Sequence, residues 1–179
     1  MTLQFNVAQL LKADIGQTRT YDFALDEAMD LGDGQATDIR GRVKFTLTNF
    51  GILATGSGCT SVQLTCARCL ERFESPIYIS FEEEFQPSID IATGLPSSVP
   101  RSDTAFPISQ NHTVHLGEAI RQHILLGVEI IPICRQDCAG LCPACGVNRN
   151  QEGCNCAQEN ADNPFAALGG ILTESTLES

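Results

Sequence analysis

Nine cysteines stand in this chain of 179 residues, and the spacing of eight of them constrains the fold more than any other feature of the sequence. Cys66-Ala-Arg-Cys69 holds one pair, and a later run holds Cys134, Cys138, Cys142, Cys145, Cys154 and Cys156. Two cysteines separated by two residues reach one ion from a single tight turn, and zinc is satisfied by four such soft ligands in a tetrahedron at about 2.3 Å. In Cys142-Pro-Ala-Cys145-Gly146 the trailing glycine can take the left-handed conformation that a knuckle needs. Cys154-Asn-Cys156 returns after eight residues, so Cys142, Cys145, Cys154 and Cys156 make a self-contained four-thiolate site. The remaining clustered thiols, Cys66, Cys69, Cys134 and Cys138, would form a second site joining sequence-distant segments. A different partition of the eight thiols, or a single occupied site, stays open on spacing alone. Cys59 stands apart and is read as a small buried hydrophobe.

Metal is preferred to disulfides because of the compartment the sequence implies. No charged segment leads into an apolar stretch at the start, and the longest apolar run, Ile124 to Ile133, is broken by Glu129 and Pro132. We therefore expect a soluble cytoplasmic protein without a membrane anchor, where thiols stay reduced. The formal net charge is −11, and each zinc held by four thiolates makes it more negative. Bulk acidity repels phosphate backbones and fits a basic protein partner better, besides keeping the chain soluble.

Period-two alternation dominates the first half: Leu3, Phe5 and Val7, then Tyr21, Phe23 and Leu25, then Ile39, Val43, Phe45 and Leu47 with Gly41 in phase. The opposite face of the third segment carries Arg40, Arg42 and Lys44, either a solvated strand face or a contact for phosphate or an acidic partner. Gly56-Ser-Gly58 reads as a turn. Val62, Leu64 and Cys66, then Ile77, Ile79 and Phe81, predict a hairpin with Cys66 to Cys69 at its tip. Glu82, Glu83 and Glu84 read as a charged edge. Residues 86 to 107, with Pro87, Pro96, Pro100 and Pro107, predict a long mobile loop. Leu116, Ala119, Ile120, His123 and Ile124 follow helical spacing and predict a helix of about three turns from near 116 to near 128, before Pro132, with His123 a packed residue and not a ligand. Asn163-Pro164 can open a closing helix whose Phe165, Leu168 and Leu172 share one face.

Catalytic chemistry finds few candidates. A redox Cys-x-x-Cys opens a helix in a βαβ unit, whereas Cys66 ends a strand. Cys138, Cys142 and Cys145 share the spacing of radical-SAM clusters, yet only 34 residues follow Cys145, too few for the barrel such enzymes need. A hydrolytic zinc keeps an open position and a base, and four thiolates close the site although Asp137 and Glu152 are near. The chain contains no nucleophile elbow, Walker loop or dinucleotide fingerprint.

Cys66-Ala-Arg-Cys69-Leu-Glu-Arg-Phe73, Pro132 with Cys134, Asp137-Cys-Ala-Gly-Leu-Cys-Pro-Ala-Cys-Gly146 with Asn148 and Asn150, Cys154-Asn-Cys156, and Asn163-Pro-Phe-Ala-Ala-Leu168 together resemble the YceD family of large ribosomal RNA subunit accumulation proteins. The resemblance follows the motif order over nearly the whole chain, the N-terminal strands being its least specific part. It implies a role in the synthesis, processing or stability of large-subunit ribosomal RNA without catalysis, beside a basic ribosomal protein or an assembly intermediate. Arg149 stands where an apolar residue is frequent and Phe165 where a basic residue often follows the proline.

The sequence thus predicts an α+β protein: an antiparallel β-core able to close as a barrel, one packed helix, a C-terminal four-cysteine zinc knuckle and a short C-terminal helix. Residues 1–133 form the core and 134–179 a cysteine-rich segment packed on it. Two zinc ions are expected, at least one of them on Cys142, Cys145, Cys154 and Cys156. The expected partner is large-subunit ribosomal RNA or a pre-ribosomal particle, reached directly through Arg40, Arg42, Lys44 and Arg68 or through a basic ribosomal protein, with no small-molecule substrate. A zinc-stabilised interaction module outside the ribosome and a thiol oxidoreductase are the alternatives.

Overall fold

The computed structural model describes residues 3–32, 34–90, 93–96 and 103–156. The chain divides into two compact units, one of Met1–Ala67 with Glu71–Cys134 and one of Arg68–Leu70 with Arg135–Ser179.

Alternating apolar residues build the first unit as strands. Its elements are β1 (Gln4–Asn6), α1 (Ala8–Leu11), β2 (Thr18–Leu25), β3 (Met29–Asp30), β4 (Gln35–Leu47), β5 (Ile52–Thr65), β6 (Arg72–Pro87), β7 (Phe106–Ile108), β8 (Thr113–His115) and α2 (Gly117–Gly127). The main sheet runs β2-β4-β5-β6-β7 with β3 on β4, while β1 and β8 form a separate antiparallel pair. All main-sheet pairings are antiparallel except β6 with β7, which is parallel over Phe85↔Phe106 to Pro87↔Ile108. The class is α+β with few helices. Among the described residues the sheet is open, which corrects the barrel: closure needs the two outer strands to pair, whereas there β2 pairs only β4, and the three-residue β7 pairs only β6.

One face of the sheet is apolar because alternate residues of each strand point the same way. Ile39, Val43 and Phe45 of β4, Ile52, Ala54 and Val62 of β5, and Ile77, Ile79, Phe81 and Phe85 of β6 are buried there, with Ala119, Ile120 and Ile124 of α2 in the same core. His123 shares this interface: its Nε2 lies 2.7 Å from Glu83 Oε1 and its ring 5.8 Å from that of Phe81.

Two expectations fail for reasons of phase and space. Gly56-Ser-Gly58 is not a turn but the middle of β5, and the chain reverses earlier, where Thr48 and Gly51 close a tight turn. A Cβ on Gly56 would stand 2.4 Å from the Phe81 ring, and one on Gly41 2.4 Å from the Phe23 ring, so these glycines give two phenyl groups room against the sheet. Cys59 is exposed and not buried, because the buried phase of β5 falls on Ala54, Thr60 and Val62. It pairs with Arg40 on one side and Tyr78 on the other.

Asp38, with φ of 54°, marks a bulge in β4, and the hydroxyl of buried Thr60 donates to the Thr37 carbonyl beside it over 2.7 Å. The expected loop is shorter than its prolines suggest, since Pro87 and Pro107 lie in strands and Ile89 bridges Pro96. The rest of it, and the helix expected at 163–172, lie outside the described residues. No helix among the described residues is long and apolar enough to cross a membrane.

Candidate metal centres

Each Cys-x-x-Cys occupies a tight reversal. The β5–β6 hairpin closes with the Cys66 amide donating to the Glu71 carbonyl over 2.9 Å, leaving Cys66 to Cys69 at its tip. In the later motif the Gly146 amide donates to the Cys142 carbonyl and the Cys142 amide to the Val147 carbonyl, each over 2.8 Å. The residue after the second cysteine is left-handed in both: Leu70 at φ 59° and Gly146 at φ 74°.

The structure brings the thiols into two groups of four. One is Cys66, Cys69, Cys134 and Cys138, the other Cys142, Cys145, Cys154 and Cys156, and within each group the sulfurs all lie within 4.8 Å of one another. A tetrahedral ion with metal–sulfur bonds of about 2.3 Å sets sulfur–sulfur distances of about 3.8 Å, so either group could hold a metal ion with small side-chain adjustments. Four soft sulfur donors suit zinc or iron–sulfur chemistry, not a hard oxygen-seeking cation. The groups differ in exposure. Cys66, Cys69 and Cys138 are buried and Cys134 partly so, whereas Cys145 and Cys156 of the other group are exposed.

The thiols of the second group hold charge unevenly. Backbone amides of Cys145 and Ala144, and then the Cys154 thiol, donate to the Cys142 sulfur and lower its pKa to about 6. The hydrogen bond from Cys156 to Cys145 holds the Cys156 proton, with burial adding to it, and pushes that thiol up to about 12. Cys154 is raised chiefly by its hydrogen bond to Cys142. One thiolate with protonated neighbours leaning on it is how a cluster of acids shares a site.

Asn150 supports the other group, a role the spacing did not reveal. Its Oδ1 accepts from the Ala139 amide and from Arg135 Nη2, each at 2.8 Å, while Nδ2 donates to Asn148 Oδ1 at 2.8 Å and to Cys138 Sγ at 3.4 Å. An asparagine near cysteines at fixed offsets was visible in the sequence, but its partners are set by the return of the chain.

Three of the four expected cationic contacts stand on one strand. Arg40, Arg42 and Lys44 lie on the exposed face of β4. Arg40 is paired with Asp38, and Arg42 Nε lies 2.7 Å from Asp22, which raises the Arg42 pKa. Arg68 Nη1 donates to the carbonyls of Gln136, over 3.3 Å, and Cys138, over 3.2 Å.

Fold and thiols together define a class: an α+β protein with a mostly antiparallel sheet and two four-cysteine groups that could each hold a metal ion. Residues 55–172 match the family of the large ribosomal RNA subunit accumulation protein YceD, and the chain belongs to that family. Uncharacterized proteins of Mycobacterium bovis and Mycobacterium tuberculosis are each 29% identical over 121 residues, 68% of this chain and 55% of theirs. The chloroplastic large ribosomal RNA subunit accumulation protein YCED homolog 1 of Arabidopsis thaliana is 33% identical over 58 residues, 32% of this chain and 18% of its own. The chain thus spans about half the length of the mycobacterial relatives. No solved structure matches it. The family is named for an accumulation factor and not for an enzyme.

Proposed function

We propose that this chain is a non-catalytic factor in large ribosomal subunit biogenesis that supports the synthesis, processing or stability of large-subunit ribosomal RNA. The observation that carries the reading is the family match over residues 55–172. Zinc fills both thiol groups in this reading, one ion on Cys66, Cys69, Cys134 and Cys138 and one on Cys142, Cys145, Cys154 and Cys156. Four thiolates complete each tetrahedron and leave no position for an attacking water, so the metal's contribution is structural. Residues 1–133 act as a core domain and 134–179 as a zinc-bearing segment, at work in the cytoplasm.

The partner is large-subunit ribosomal RNA or a pre-ribosomal particle, met directly or through a basic ribosomal protein. Direct contact with RNA falls to Arg40, Arg42, Lys44 and Arg68. The ion pairs of Arg40 and Arg42 are open to water, with side chains 64% and 69% exposed, so phosphate competes with Asp38 and Asp22 on even terms. Gradient sedimentation at low salt tests the reading: the tagged protein is expected with precursor large subunits. A profile confined to free protein contradicts it.

A further inference from the structure

One short stretch of the first unit exposes four large aliphatic side chains. Ile130 is 99% exposed, Leu126 80%, Ile131 69% and Leu125 40%, four within seven consecutive residues at the end of α2 and just beyond it. Their neighbours Ala119, Ile120 and Ile124 already supply the helix's buried stripe. Scattered apolar residues are normal on a surface, but a contiguous set marks an interaction site or an aggregation hazard.

We propose that this surface docks a cationic polypeptide segment that carries large apolar side chains. Charge selects the occupant. Residues 125–131 contain Glu129 and no Lys or Arg, and Arg121, the cation of α2, lies 3.6 Å from Glu118. Residues 125–131 therefore offer RNA no cation for its phosphates. A second copy brings the same Glu129 and a net charge of −11 against its like. The chain's own residues beyond Cys156 include Glu159, Asp162, Glu174 and Glu178 and no Lys or Arg. A cationic segment places positive charge beside Glu129 while its apolar side chains cover Leu126 and Ile130, uniting steering with burial. The proposal goes beyond the ribosomal reading and stands without it.

Fluorescence anisotropy with two synthetic peptides, one alternating lysine with leucine and one alternating glutamate with leucine, tests it on the full-length protein. The lysine peptide is expected to bind and the glutamate peptide not. The double variant Leu126→Asp, Ile130→Asp is expected to lose about tenfold or more in affinity for the lysine peptide, the scale of a central contact. Both positions are exposed, so its circular dichroism and melting midpoint are expected to match wild type. Glu129→Lys is expected to weaken the lysine peptide. Unchanged affinity in the folded double variant, or no binding by wild type, overturns the proposal. So does a wild-type dimer in sedimentation equilibrium that the double variant converts to monomer, which assigns the surface to a second copy. Tighter binding by about tenfold in full-length Phe165→Asp, Leu168→Asp overturns it in favour of the chain's own tail.

Discussion

The side-chain amide of Asn150 donates to the sulfur of Cys138 over 3.4 Å, while its oxygen accepts from the Ala139 amide and from Arg135. Hydrogen bonds to a ligating sulfur orient it and spread its charge, and such outer partners typically carry a 10- to 100-fold share of metal affinity. Asn150→Ala is expected to weaken metal binding at the Cys138 group by about that factor and to cost about 0.5–1.5 kcal/mol of stability, because the exposed Ala139 amide exchanges its acceptor for water. Competition with a chromophoric chelator and a thermal melt read the two effects. Asn150→Asp keeps the acceptor but not the donor, so it is expected to lose affinity with a smaller loss of stability.

Leu70 stands at φ 59°, where the corresponding residue of the second Cys-x-x-Cys is a glycine. An L-residue in the left-handed region costs roughly 1–2 kcal/mol. The Leu70 side chain is 62% exposed, so little burial offsets that cost. Leu70→Gly is expected to be neutral or to stabilise by up to about 1 kcal/mol once the added freedom of the unfolded chain is counted. Denaturant titration of the metal-loaded protein checks it.

Gly41 is the converse case. An added Cβ would lie 2.3 Å from the Ser57 carbonyl oxygen and 2.8 Å from the Gly58 Cα, both backbone atoms that cannot swing aside. Gly41→Ala is expected to destabilise by about 1–3 kcal/mol, the range for overpacking, by denaturant melt. Gly16, which has nothing within 4 Å but a φ of 88°, supplies the comparison for backbone strain without crowding.

Metal binding at Cys142, Cys145, Cys154 and Cys156 is expected to depend on pH through the protons it displaces. Cys142, near 6, is already a thiolate at neutral pH, whereas Cys156, near 12, and Cys154, raised, still hold their protons. Loading the group near neutral pH is expected to release fewer than four protons, and affinity is expected to fall as pH falls, more steeply once Cys142 also protonates below about 6. The signs on metal-free stability oppose each other. The lowered Cys142 contributes above its ordinary value of 9.0 and loses that contribution as pH falls through about 6. The raised Cys156 contributes below 9.0 and loses it as pH rises through about 12. Calorimetry in buffers of different ionisation enthalpy counts the protons.

How much of this was legible from the sequence follows from the range of each constraint. Metal ligands at short spacing announce themselves because one turn must present both, and strand alternation announces itself because burial repeats every second residue. The phase of that alternation also contained the exposure of Cys59, since Val62 and Leu64 lie an odd number of residues away. What local pattern does not encode is pairing at a distance. Whether β2 meets β7 decides barrel against open sheet, and nothing within either strand states it. Gly56 and Gly58 imitate a turn because the phenyl groups that need their missing side chains come from β2 and β6. Leu70 hides its left-handed backbone behind a residue that seldom adopts one.

Elemental analysis of protein purified without chelator, beside a thiol count after denaturation, decides whether sulfur-bound ions and not catalytic groups organise the cysteine-rich part of the chain. Two zinc ions per chain and nine titratable thiols are expected. Protein without metal, with the same cysteines joined as disulfides, contradicts that expectation.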